Sequence, residues 1–164
     1  MPGRIGLGFL LLGAICCAGS PKERAPGDIA AQYAAAERFD EAAREIDLAV
    51  RIRPRDLTLR RQAARLNDRA GNTERAIGHL EFAIRLAPHD GTIWLELADR
   101  EQARENVADA YVAYRRASSL EPNDLRAIAG LARSADILGF SEEAEAAYER
   151  QAQLELELGI DGSL

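Results

Sequence analysis

Apolar residues recur along this chain at intervals of three or four positions, the period of one face of an α-helix. In the stretch 57–90, a first stripe contains Leu59, Ala63, Leu66 and Ala70. A second stripe contains Ala76, Leu80, Ala83 and Ile84. Gly71 and Asn72 lie between the stripes, and a glycine just beyond the last helical residue commonly ends a helix. The pattern predicts two amphipathic helices joined by a short turn.

The same two-stripe plan is found in the stretches on either side. Residues 23–56 contain Ile29, Ala30 and Tyr33, followed by Ala42, Ile46 and Ala49. Residues 91–124 contain Ile93, Trp94, Leu97 and Ala98, followed by Ala110, Tyr114 and Ala117. Residues 125–158 contain Ile128, Leu131, Ala132 and Ala135, followed by Ala144, Ala147 and Tyr148. The abundant alanine and the 5% aromatic content favour closely packed helices over a sheet.

Regularly spaced prolines separate these stretches. Pro54, Pro88 and Pro122 are 34 residues apart, and each is followed two positions later by an aspartate. Proline cannot continue the preceding helix, whereas the aspartate can cap the N-terminus of the next one. The spacing therefore predicts a 34-residue repeat in which each unit is a pair of helices.

The unit 91–124 resembles the tetratricopeptide repeat, a family built from antiparallel helix pairs. The residue types that recur in that family fall on Trp94, Leu97, Ala98, Ala110, Tyr114, Ala117 and Pro122. The positions that depart from the family's pattern are Arg60, Asn67, Glu101, Gln151 and Leu156. The resemblance implies an all-α solenoid of about four helix-turn-helix repeats, at 23–56, 57–90, 91–124 and 125–158, with a tail at 159–164.

The resemblance also implies a concave groove, lined by the first helix of each pair, that binds a peptide or helix of another protein. The candidate groove residues are Arg61, Gln62, Arg65, Asp68, Arg69, Leu95, Glu96, Asp99, Gln102, Arg126, Arg133 and Asp136. Arginines on one face can hold carboxylates of a partner, and a solvated polar face is the alternative interpretation. Family members that clamp C-terminal carboxylates use Lys and Asn at positions that here hold Arg61 and Arg65, Leu95 and Asp99, or Ala129 and Arg133. The chaperone-tail clamp is therefore not expected.

The N-terminus is predicted to be an export signal. Arg4 precedes an apolar run from Ile5 to Ile15 that is too short to anchor the chain across a bilayer, and small residues follow it. We expect a signal peptide at 1–18, a flexible tether at 19–27, and a location in the periplasm or on the outer membrane facing the periplasm. Lipidation of Cys17 and a soluble mature form both remain open.

Charge is unevenly distributed along a chain whose net charge is −6, a balance that argues against general nucleic-acid binding. From Arg51 to Arg69 there are seven arginines and two acids, whereas from Ser141 to Leu164 there are seven acids and one arginine. The basic end suits an acidic partner or an anionic membrane surface, and association of the two ends between copies is a further option.

The sequence contains no recognisable catalytic motif. The only histidines, His79 and His89, have no second histidine at metal-ligand spacing, and both cysteines lie at the N-terminus. We expect no enzyme activity, metal or cofactor. The predicted function is a protein-binding scaffold of the bacterial cell envelope, by resemblance in pilus or secretion-system assembly. The alternatives are a self-assembling architectural protein and an auxiliary subunit of a cell-wall or polysaccharide enzyme.

Overall fold

The computed structural model describes residues 25–159, and within this range the chain forms eight α-helices and no strand. The helices are α1 (Pro26–Ala35), α2 (Phe39–Ile52), α3 (Leu57–Arg69), α4 (Thr73–Leu86), α5 (Gly91–Ala103), α6 (Val107–Leu120), α7 (Leu125–Ile137) and α8 (Ser141–Glu157). The predicted all-α solenoid of helix pairs is confirmed. The predicted signal peptide, Cys17, most of the tether and residues 160–164 lie outside the described residues.

The first helix of each of the last three pairs begins at an aspartate that follows a repeat proline. Asp56 accepts a hydrogen bond from the backbone N–H of Leu59 at 3.1 Å, and Asp90 accepts one from Thr92 at 3.0 Å. Asp124 accepts one from Arg126 at 2.8 Å. These caps satisfy N–H groups that have no partner within the helix, so the aspartates define where the helices begin, as predicted.

The turn inside each pair uses one left-handed residue at the same repeat position. Gly71 and Gly139 have φ of 75° and 78°, a conformation that glycine adopts without steric penalty. Glu37 and Glu105 occupy the equivalent positions in the other two units, with φ of 57° and 61°. The turn geometry is thus set by the repeat as a whole, even where the local residue does not favour it.

Alanines and a few large side chains fill the interior, and each helix packs mainly on its neighbours in sequence. At the joint between α6 and α7, Tyr114 is 2% exposed among Ala98, Ala110 and Ala117. The small side chains of these alanines leave space that the ring of Tyr114 fills. Stability therefore comes from interfaces between consecutive helices, as in other stacked repeats.

The leucines near the end of α8 divide into two groups. Leu154 is 3% exposed and covers the last interface. Leu156 and Leu158 remain 80% and 59% exposed. Ile137 and Phe140, in and just after α7, are also exposed, so apolar surface remains at this end of the described solenoid.

Candidate partner-binding groove

The predicted groove residues lie on the first helices of the second, third and fourth units, and several of them pair with one another. Glu96 on α5 accepts hydrogen bonds from two arginines of α3. Its Oε1 lies 2.9 Å from Nη2 of Arg61 and 2.6 Å from Nη2 of Arg65. Two of the arginines that the sequence suggested for holding a partner's carboxylates therefore already hold a carboxylate of the next unit. Arg65 nevertheless keeps 60% of its side chain exposed.

Two further ion pairs continue this arrangement along the first helices. Nε of Arg100 lies 3.0 Å from Oδ2 of Asp68, which joins α5 to α3. Nη2 of Arg126 lies 2.5 Å from Oδ2 of Asp99, which joins α7 to α5. The charged side chains of the first helices therefore form ion pairs between consecutive units rather than along a single helix.

The carboxyl group of Glu96 is held in its charged form. Burial acts to raise the pKa of Glu96, but the hydrogen bonds from Arg61 and Arg65 together with the positive charges of these arginines outweigh burial and lower that pKa below its ordinary value of 4.5. A carboxyl group whose pKa is lower in the folded state stabilises the fold above its unfolded pKa, and this stabilisation disappears as the pH falls through the folded pKa.

This linkage predicts that replacing Glu96 with glutamine destabilises the protein at neutral pH but not in acid. The difference in unfolding free energy between wild type and Glu96→Gln should begin to shrink below about pH 4.5 and should disappear once the pH falls through the lower folded pKa, since Glu96 is neutral in the folded protein only below that pKa. Urea denaturation at several pH values measures this difference. Glu149→Gln, an exposed substitution on α8, is the control. If the difference in unfolding free energy between wild type and Glu96→Gln stays constant into the acid range, the result contradicts stabilisation by a charged Glu96.

Gln102 and Asp99 surround the hydroxyl end of Tyr114, which reaches toward the groove from the core. The hydroxyl oxygen lies 2.9 Å from Oδ1 of Asp99 and 2.5 Å from Oε1 of Gln102. Burial, followed by the nearby charge of Asp99, raises the pKa of Tyr114 and keeps the hydroxyl neutral. Asp99 thus connects the core tyrosine to the ion pair with Arg126.

The prediction that Leu95 lines the groove is wrong. It is 5% exposed and packs in the core with Ala98 and Tyr114, so its side chain does not line the surface. The error has a physical cause: a first helix is covered both by its own partner helix and by the neighbouring pair. Only a narrow strip of it faces solvent.

The other predicted residues are exposed and less constrained. The guanidinium of Arg69 lies 5.2 Å from the ring centroid of Phe39 on α2. Arg133 and Asp136 on α7 are exposed and form no ion pair with another described residue. The structure thus leaves Gln62, Arg65, Arg133 and Asp136 as the predicted residues that are best placed to meet a partner.

Sequence reasoning missed an apolar cavity between α1 and α3. The cavity has a volume of about 230 Å³ and is lined by Gly27, Ala30, Ala31, Ala34, Ile46, Gln62, Arg65 and Leu66. Four of these residues are small and come from α1, so space is left where larger side chains would fill it. The signal in the sequence was a run of alanines at helical spacing, which resembles ordinary packing. Gln62 and Arg65 form the polar rim.

The described residues show no arrangement suited to metal chemistry or membrane crossing. Within 25–159, no three His, Cys, Asp or Glu side chains are grouped so that they could hold a metal ion. No helix in the same range combines the length and apolar character needed to cross a bilayer.

Comparison with known proteins places the chain among helical-repeat solenoids. No family model matches the sequence, and no curated protein matches it. A crystal structure of MamA matches with a TM-score of 0.73 at 16% identity, over 83% of this chain and 80% of that one. The first TPR of Spaghetti (RPAP3), bound to the HSP90 peptide SRMEEVD, matches with a TM-score of 0.61 at 19% identity, over 70% of this chain and 90% of that one. The fold is therefore of the tetratricopeptide-repeat type.

Proposed function

We propose that this chain is a non-enzymatic scaffold that binds an extended or helical segment of a partner protein along α1, α3, α5 and α7. The observation that carries the proposal is the apolar cavity of about 230 Å³ with the exposed Arg65 at its rim. An apolar side chain of the partner enters the cavity, and a neighbouring carboxylate meets the guanidinium. Burial of the side chain provides affinity, and the charge-assisted hydrogen bond selects an acidic residue beside it.

A solved neighbour supports a ligand of this chemistry. The first TPR of Spaghetti (RPAP3) is bound to the HSP90 peptide SRMEEVD, which combines acidic with apolar residues. This chain differs in having arginine at both Arg61 and Arg65, the positions where family members that clamp C-terminal carboxylates have Lys and Asn. We therefore propose an internal acidic-apolar segment as the ligand, seated between the first two units.

The proposed setting is the bacterial cell envelope. The apolar run within residues 1–18 supports export, and Cys17 is the proposed lipid attachment point for a form on the outer membrane that faces the periplasm. Assembly of a pilus or secretion system is the proposed process. Mass spectrometry of the mature N-terminus distinguishes a lipidated Cys17 from a soluble periplasmic form.

Filling the cavity should abolish partner binding without unfolding the protein. Ala31 is exposed and lines the cavity, so Ala31→Leu adds volume inside it while leaving the core intact. Peptides selected from a random phage-displayed library should carry an acidic residue beside an apolar one, and should bind Ala31→Leu at least about tenfold more weakly than wild type. Fluorescence anisotropy with the selected peptides measures the affinities.

The matched control is Ala108→Leu, the same substitution at an exposed position of α6, which should bind like wild type. The proposal fails if no peptide is enriched, or if the selected peptides bind Ala31→Leu as tightly as wild type.

Self-assembly is the second candidate, supported by the apolar side chains exposed at the C-terminal end. Ile137, Leu156 and Leu158 are 69%, 80% and 59% exposed. A second copy of the chain would cover them. Sedimentation equilibrium over a wide concentration range tests self-assembly. A monomer mass at every concentration would reject this candidate.

A further inference from the structure

A polar network lies at the joint between the first two units, where the sequence departs from the repeat pattern at Arg60 and Asn67. Arg60 stands one repeat before Trp94. Its Nε donates to the carbonyl oxygen of Pro54 at 3.0 Å, just as Nε1 of Trp94 donates to that of Pro88 at 3.1 Å. Arg60 thus reproduces the indole's hydrogen bond while bringing a positive charge into the joint.

Asp47 on α2 is already engaged inside this network. Its Oδ1 accepts hydrogen bonds from Nδ2 of Asn67 and from Nε2 of His79, both at 3.0 Å. Burial acts to raise the pKa of Asp47, but these two hydrogen bonds and nearby positive charge, including that of Arg75, together outweigh burial and lower that pKa. Asn67 itself is completely buried. The other carboxylate oxygen of Asp47, Oδ2, lies 3.8 Å from Nη1 of Arg75 on α4, so Asp47 faces both the buried amide and an exposed arginine.

The tautomer of His79 follows from its two neighbours. Nδ1 of His79 lies 3.3 Å from Nη1 of Arg60, and a guanidinium can only donate, so Nδ1 must accept. Nε2 then carries a proton and donates to Oδ1 of Asp47 at 3.0 Å. Both ring nitrogens of His79 are therefore occupied by partners inside the network, so neither faces the solvent as a free base.

Beside this network is an open cavity of about 570 Å³, bounded mainly by the second helices α2 and α4. Its lining consists of Asp47, Val50, Arg51, Pro54, Arg60, Arg75, Gly78 and His79. Gly78 contributes no side chain, and a Cβ added there would meet nothing within 4 Å. The cavity is therefore accessible from solvent beside α4.

Positive charge exceeds negative charge around this cavity. Arg51, Arg60 and Arg75 line it, and Asp47 is the only acid in the lining. Arg85 adds to the surplus, since its guanidinium lies over Phe82 at 4.8 Å while that of Arg60 lies over the same ring at 3.8 Å. Burial and the charge of Arg85 lower the pKa of Arg60, and the nearby negative charge of Asp47 offsets this effect only in part. A bound anion would add negative charge beside Arg60.

We infer that this cavity binds a phosphate group, with Arg51, Arg60 and Arg75 donating to its oxygens from α2, α3 and α4. Three arginines that line one cavity from different helices match the several acceptor oxygens and the charge of a phosphate better than those of a single carboxylate. The site is separate from the groove on the first helices, so it does not depend on the proposed partner binding. Inorganic phosphate, a phosphate monoester and a lipid headgroup share this chemistry.

The two histidines provide an internal control for a binding experiment by NMR. Sodium phosphate is titrated into the protein at neutral pH and constant ionic strength, with chloride as the balancing anion. The ring signals of His79, at the cavity wall, should shift and saturate, whereas those of His89, in the turn before α5, should not. Arg51→Gln and Arg75→Gln should each weaken phosphate binding about tenfold, the effect of losing one hydrogen bond to a charged group.

Arg116→Gln is the matched control, because it removes one exposed arginine from α6, also a second helix, and should leave the affinity unchanged. Circular dichroism confirms that each variant is folded. The inference is overturned if His79 does not respond, if both histidines shift in parallel, or if the two cavity variants bind phosphate like wild type. Flotation with phosphatidylcholine vesicles, with and without phosphatidic acid, distinguishes the sources of the phosphate group. Flotation that requires phosphatidic acid and is lost in Arg51→Gln and Arg75→Gln identifies a lipid headgroup. No flotation identifies a soluble phosphate.

Discussion

Truncating Tyr114 to alanine should lower the free energy of unfolding by about 3–5 kcal/mol, the largest effect expected for a single substitution in this chain. The ring is 2% exposed, and it is surrounded by alanines that are too small to fill the space it would leave. Its hydroxyl also reaches Asp99 and Gln102, which would lose that partner. Urea denaturation followed by circular dichroism measures the loss.

Two companion variants identify the cause. Tyr148→Ala removes the same atoms from a side chain on α8 that is 42% exposed, and should change stability much less. Tyr114→Phe keeps the ring and removes only the hydroxyl, so its expected effect is about 0.5–1.5 kcal/mol. Equal losses for Tyr114→Ala and Tyr148→Ala would contradict the packing described for the joint between α6 and α7.

Replacing Gly130 with alanine should destabilise the same joint from the opposite side, by about 1–3 kcal/mol. A Cβ at this position would lie closer to the ring carbons Cδ1, Cε1 and Cζ of Tyr114 than atoms approach in real structures. The ring is confined by its neighbours, so either the ring or α7 must move. Hydrogen exchange should show α7 and α8 losing protection before the first two units, because the damage lies at the joint with the last pair.

Gly78→Ala is the matched control for this substitution. Both glycines lie inside helices, but a Cβ at position 78 would meet nothing within 4 Å. Alanine is the better helix former, so Gly78→Ala should stabilise the protein by about 0.5–1 kcal/mol. Opposite signs for the two variants are the expected result, and a stabilising Gly130→Ala would refute the close approach of α7 to Tyr114.

Features that depend on local spacing could be predicted from the sequence. The helix pairs follow from apolar residues at helical intervals, and the caps at Asp56, Asp90 and Asp124 follow from the repeat prolines. Gly71 marked the turn of the second unit. Glu37 and Glu105 gave no such signal, because glutamate rarely adopts the left-handed conformation that both residues have here.

Features that depend on contacts between helices could not be predicted. Helical spacing places Arg61 and Arg65 on one face, but it does not reveal that Glu96 of the next unit stands opposite them. Leu95 was placed in the groove for the same reason, since the coverage of α5 by its neighbours cannot be read from α5 alone. The departures at Arg60 and Asn67 were visible as mismatches, yet their connection through Asp47 and His79 needed the three-dimensional arrangement.

Because each helix packs mainly on those adjacent in sequence, energetic disturbance is short-ranged in this molecule. A substitution near α2 and another near α7 share no packing partner, so their effects on stability should add. Stability in this molecule is therefore a sum of local interfaces between neighbouring helices. A change of surface residues at one end should cost little stability at the other end, so the two ends can evolve separately.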